Sequence, residues 1–180
     1  MAEHEKSVSY SSPKSDLVLE ITRRFSAPRE IVFAAITQPS VFQQWWGPKG
    51  CTCSACEIDL REGGAWQTTL VGAEDCDTNT VGGVYKEIIT PSKLVFTWSW
   101  TQADGKVNGE RGPETVVTIE LHDEGEKTLM NFSQQIFSDA EQCQKHRFGW
   151  DSAYDCLDQY IYQIYDNNFR KYLPGRLIRE

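Results

Sequence analysis

The residues best equipped for chemistry sit in a few short stretches. His146, Arg147 and Asp151 surround Trp150 in HRFGWD. His146 and Trp150 are four apart, a spacing that puts two side chains on one helical face. An imidazole beside an aromatic wall can serve as acid, base or hydrogen-bond donor near neutral pH. A satisfied or surface histidine is the commoner outcome. Glu87, in VYKEI, has apolar residues on both flanks, so its facing is open. Turned inward, its carboxylate would have a raised pKa and the makings of a general base. Turned outward, it belongs to a solvated face.

The stretch CTCSAC (51–56) contains a C-x-x-C pair, a spacing that invites zinc. A closed zinc site needs four ligands. In a regular strand Cys51 and Cys53 share a face and Cys56 points the other way, which spoils a common chelate. No helix N-terminus follows to lower a thiol pKa, so a redox pair is not expected either. The expectation is no metal, no cofactor, and Cys51, Cys53, Cys56, Cys76, Cys143 and Cys156 as free thiols. No Ser-His-Asp order, phosphate loop or paired-carboxylate motif is present.

The aromatic residues are the remaining candidates. WWGPKG (45–50) runs two tryptophans into a Gly-Pro turn. Adjacent helical residues point about 100° apart, so Trp45 and Trp46 meet different surroundings. Phe42 and Trp46 share one helical face, Val41 and Trp45 the next. We assign Trp46 to a cavity rim and Trp45 to a lining against a sheet; the reverse stays open. Trp66, Trp98, Trp100 and Trp150 suit an inner wall, and Tyr85 and Tyr154 would supply hydroxyls in it. Plain core packing competes with each of these assignments.

These residues need elements to hold them. LVLEITRRFS (17–26) alternates as a half-buried strand. Pro28 and Pro39 open two short helices, IVFAAIT and PSVFQQWW. CTCSACEIDLR, AWQTTLVG, VGGVYKEIIT, KLVFTWSWT, ETVVTIELHD and KTLMNFSQQI read as six strands in series, separated by turn-rich loops that include 73–80 and 102–112. Ser138 and Glu141 have capping-box spacing. Trp150, Tyr154, Leu157, Ile161 and Ile164 then mark one face of a helix uninterrupted until Pro174. About 25 residues give a rod of roughly 40 Å. Serial strands imply an antiparallel sheet, and only the last helix is long enough to cover its apolar face. The expected fold class is α+β. A seven-stranded antiparallel sheet curves around a long C-terminal helix, with two short helices between strands 1 and 2.

The chain has 180 residues, 39% hydrophobic, 24% charged and 12% aromatic, with a formal net charge of −8. That balance disfavours a nucleic-acid surface or an anionic membrane as partner. No apolar run is long enough to span a bilayer. Residues 1–15 lack the apolar centre of a secretory signal and read as a loose leader. Residues 16–172 read as one domain and 173–180 as a tail. A cytoplasmic location is expected.

Four segments together, WWGPKG, EIDLREGGAW, GGVYKEIITPSKLVFTWSW and HRFGWDSAYDCLDQYI, resemble the START-like, polyketide-cyclase (SRPBCC) superfamily. They look closest to its branch named after the activator of the heat-shock chaperone ATPase. The resemblance runs from about Leu17 to about Tyr165. It implies a helix-grip fold with a cavity between sheet and long helix. It also implies binding of lipids, polyketides or other apolar molecules. The expected ligand-binding residues are Trp46, Trp66, Tyr85, Glu87, Trp98, Trp100, His146, Trp150 and Tyr154. The leading expectation is a ligand-binding protein without catalysis. Alternatives are a cyclase or hydrolase acting on such a ligand, or a chaperone co-factor working by protein contact. The branch name also carries a stress-response association, and a chaperone or homodimer contact stays open. The Cys51, Cys53, Cys56 triplet lies outside the family pattern.

Overall fold

Alternation builds the first element. In β1 (Val18–Phe25) the side chains of Leu19, Ile21 and Phe25 are buried while Val18, Glu20, Thr22 and Arg24 face solvent. The structure, a computed structural model, describes residues 17–72, 78–102, 112–135 and 139–166. The expected leader, the tail and most of the 102–112 loop lie outside those residues, as do Cys76 and Ser138.

Two short helices follow, α1 (Arg29–Thr37) and α2 (Pro39–Trp45). Gln38 stands between them with extended backbone, φ −86° and ψ 119°. A residue before proline is pushed out of the helical region by the pyrrolidine ring. Pro39 thus ends α1 and opens α2 at a position where its missing N–H costs nothing.

Six strands complete the sheet: β2 (Cys51–Ile58), β3 (Ala65–Gly72), β4 (Thr78–Ile89), β5 (Lys93–Gln102), β6 (Thr115–Asp123) and β7 (Thr128–Gln135). β4 begins three residues before the expected VGGVYKEIIT. The order is β1-β7-β6-β5-β4-β3-β2, and every neighbouring pair is antiparallel. β1 and β2 are therefore opposite edges, and α1 and α2 carry the chain from one to the other.

The long helix α3 (Ala140–Ile161) buries Trp150, Ala153, Tyr154, Leu157 and Ile161. Its N-cap is Asp139, whose carboxylate accepts the Gln142 N–H at 2.8 Å. The proposed Ser138–Glu141 box has its first member outside the described residues. The helix ends at Ile161 and passes into a π turn, Tyr162–Asp166. Arg23 on β1 fastens it, donating to Asp155 Oδ1 at 2.7 Å and to Asp151 Oδ1 at 3.2 Å.

Two adjacent glycines of β4, Gly82 and Gly83, have no room for a side chain, and Gly83 has the least. Trp66 on β3 pairs with Gly83 on β4, and its indole N–H reaches across to Thr97 O on β5 at 3.1 Å. A Cβ on Gly83 would run into that same carbonyl, which is backbone and cannot swing away. Gly83→Ala should therefore cost about 3 kcal/mol or more, read as a drop in denaturation midpoint. A drop no larger than that of an alanine on the outer face would show that β4 and β5 can separate at this point.

Candidate functional site: a tryptophan-walled cavity

Inward alternation on β7 buries Thr128, Met130, Phe132 and then Gln134. A buried amide needs partners for both ends, and Gln134 has them. Its Oε1 accepts from Trp150 Nε1 at 2.7 Å, and its Nε2 donates to Thr115 Oγ1 at 2.7 Å. Thr115 in turn donates to Trp98 O at 3.1 Å. An indole nitrogen is only a donor, so Trp150 decides which end of the amide faces α3.

His146 Nδ1 lies 3.1 Å from the same Gln134 Oε1. That oxygen can only accept, so Nδ1 carries the proton. The imidazole also meets the Trp98 ring edge-on at 4.4 Å. Burial lowers its pKa from 6.5 to about 4, so the ring is neutral at pH 7.

Next to this network is a cavity of about 300 Å³ between the sheet and α3. Trp46, Gly47 and Pro48 line it from the α2–β2 turn, Leu70 from β3, Val81 from β4, and Trp98 and Trp100 from β5. α3 contributes Lys145, His146, Gly149, Trp150 and Ala153. Gly149 stands mid-helix, where glycine costs about 1 kcal/mol relative to alanine. No backbone crowds it, for a Cβ there would meet nothing within 4 Å. Its missing side chain leaves space.

The candidates named from sequence divide into three groups. Trp46, Trp98, Trp100, His146 and Trp150 line this cavity. Trp66, Tyr85 and Tyr154 line an inner pocket of about 30 Å³, which Trp46 and Trp150 also border. Burial raises the pKa of both tyrosines. Glu87 joins neither. It points outward and pairs with Lys93 Nζ at 2.8 Å. By alternation from Tyr85 it would face inward, but the β4–β5 register slips between Tyr85 and Glu87 and turns it out.

Neither tryptophan of WWGPKG is an exposed rim residue. Trp45 donates to Ala35 O at 2.9 Å and Trp46 to Thr68 Oγ1 at 2.9 Å, and both rings are buried. Trp46 stacks on Phe42 at 4.8 Å and leans on Trp150 at 5.2 Å. It is both core and cavity wall. Trp45 faces the inner pocket and, on its other side, a polar groove of about 310 Å³. Lys49 N–H donates to Ser152 Oγ at 2.9 Å, pinning the turn to α3.

The residues that sequence reasoning missed are Gln134, Leu70, Val81, Lys145 and Gly149. Gln134 had a signal, since a glutamine stands at an inward position of an alternating strand. The cysteine geometry also needs correction. Cys56 does not oppose Cys51 and Cys53; a register shift between Cys53 and Ala55 brings it onto their face. Cys51, Cys53, Cys56, Cys143 and Cys156 are free thiols. Among the described residues no group of three or more His, Cys, Asp or Glu side chains could hold a metal ion, and no helix is long and apolar enough to cross a membrane.

Residues 26–162 match the sequence family described as activator of Hsp90 ATPase homolog 1-like protein. The chain belongs to this family. Its fold is shared with the AHSA1 protein from Silicibacter pomeroyi, at 24% identity over 81% of this chain and 97% of that one, TM-score 0.72. A protein from Chromobacterium violaceum aligns at 22% identity over 79% and 96%, TM-score 0.68. CalU16 from Micromonospora echinospora aligns at 26% identity over 80% and 75%, TM-score 0.57. No curated protein matches the chain in sequence. The family's helix-grip architecture and START-like relationship are those implied by the four motifs.

The lowered His146 pKa has a consequence for stability. The unfolded chain takes up a proton as pH falls through 6.5, while the folded chain resists until about 4. His146 therefore costs nothing above pH 7 and destabilises progressively between those values. The loss should be about 1–2 kcal/mol, allowing for the part of the ring that meets solvent. The difference in urea midpoint between wild type and His146→Gln should stay constant above pH 7 and move in the variant's favour as pH falls toward 4. Parallel curves would contradict a neutral, buried imidazole.

Proposed function

We propose that the chain binds an uncharged, largely aromatic small molecule in the cavity between sheet and α3. The observation that carries this reading is the space itself. Four indoles surround about 300 Å³ that Gly149, a residue unfavourable for its helix, leaves empty. A few fixed polar groups within an apolar wall are the usual make-up of a small-molecule site. His146, neutral and oriented through Nδ1, supports binding ahead of catalysis: it is held as a hydrogen-bonding group at pH 7.

The test uses 1-aminoanthracene, an uncharged three-ring fluorophore. Titration should raise its emission and quench tryptophan fluorescence at one site per chain. Gly149→Leu should weaken that binding roughly tenfold or more, about 1.4 kcal/mol, with no fall in thermal midpoint. Trp45→Ala should lower the midpoint and leave probe affinity within about twofold, because its ring is outside the cavity. Undiminished binding to folded Gly149→Leu would place the ligand elsewhere.

A further inference from the structure

β2 is an edge strand, and its alternation breaks once. Thr52 is exposed and Cys53 buried, then Ser54 and Ala55 are both exposed, and Cys56 and Ile58 are half-buried on either side of exposed Glu57. The pairing shows why. Cys53 faces Leu70 and Cys56 faces Thr68, so three steps on β2 match two on β3. The bulge puts Cys53 and Cys56 next to each other on the inner face of the sheet.

In an unbroken strand, same-face neighbours stand about 6–7 Å apart, at the edge of what a disulfide spans. A bulge bends the strand that carries it. Here the Cys53 side chain leans along the strand toward its neighbour, with Sγ 3.2 Å from Ala55 O. We propose that Cys53 and Cys56 form a redox-active dithiol that a hydroperoxide closes to an intrachain disulfide.

Each thiol is the largest influence on the other's ionisation. Cys53 is held below its ordinary pKa by Cys56, and Cys56 is pushed well above its own by Cys53. The thiolate is the nucleophile in thiol oxidation, and Cys53, the member of the pair that lines the polar groove, attacks first. Its sulfur displaces alkoxide from the peroxide oxygen. The O–O bond breaks, Cys53 becomes a sulfenic acid, and the alkoxide leaves as the alcohol with a proton from solvent. The Cys56 sulfur then attacks the Cys53 sulfur. The S–S bond forms, S–O breaks, and hydroxide leaves with the Cys56 proton as water. Overall, two thiols and one hydroperoxide give one disulfide, one alcohol and one water. A small peroxide can approach through the polar groove, which Cys53 lines together with Gln43 and Cys51. Two contacts tie the bulge to its surroundings, one to α2 and one to the cavity wall. Cys53 O accepts from Gln43 Nε2 on α2 at 3.2 Å, and Leu70, opposite Cys53, is a cavity wall.

The experiment exposes reduced, desalted full-length protein to hydrogen peroxide. Remaining thiols are alkylated, the protein is reduced, and newly released thiols receive an isotopically distinct label. In the wild type Cys53 and Cys56 should acquire the second label together and to the same extent, with Cys51 and Cys156 far behind. The peptide Gly50–Arg61 should lose two hydrogens before reduction. Cys53→Ser and Cys56→Ser should each abolish that loss, while Cys51→Ser should retain it. Second label on Cys51 with Cys53, or oxygen gained at these cysteines with no hydrogen lost, would overturn the dithiol. The wild-type labelling decides the matter even if a serine variant fails to fold.

Discussion

One buried amide organises the chemistry of this cavity. Gln134 has no exposed surface, and both ends of its side chain are committed. Trp150 can only donate, so it fixes the amide's orientation, and the amide then fixes the His146 tautomer. The other end runs through Thr115 to the backbone of Trp98. Helix and sheet are thereby joined by directional bonds at the point where their apolar surfaces separate. Breaking one partner would leave a buried polar group unsatisfied, at a cost of about 1–3 kcal/mol. That cost keeps the wall in one arrangement.

The same constraint explains why the space stays open. A sheet and a helix would ordinarily close on each other to bury apolar surface. Here the Trp150 indole is held by the network and by Phe132, the Trp98 ring by its contact with His146, and Gly149 supplies nothing to fill the gap. At the far end, Trp46 is fixed by Thr68 and Phe42. The turn after it is pinned to α3 through Lys49 and Ser152. WWGPKG thus does two jobs with adjacent rings: Trp45 closes the core beneath α1, and Trp46 ends the cavity.

Much of this was legible in the residues. Strict alternation in β1, β5, β6 and β7 and the four-three-four spacing along α3 each have one physical reading, and serial strands leave little choice but an antiparallel sheet. What could not be read were the register shifts within the sheet. Alternation predicts facing only while the ladder is unbroken. The slip between Cys53 and Ala55 reversed the facing expected of Cys56, and the slip between Tyr85 and Glu87 turned the carboxylate outward. The division of the aromatic residues between a 300 Å³ cavity and a 30 Å³ pocket was equally hidden, because it depends on how rings from different strands meet. Gly149 carries no such signal, because a glycine within a helical pattern reads as a local weakness, not as space.

The most direct test follows the six indole N–H signals by ¹H–¹⁵N NMR as 1-aminoanthracene is added. A ligand in the cavity shifts Trp46, Trp98, Trp100 and Trp150 and leaves Trp45 nearly still, since its ring faces the inner pocket and the outer groove. Saturable shifts at those four would support the account. Shifts confined to Trp45, or none at Trp98, Trp100 and Trp150 while the probe binds, would contradict it.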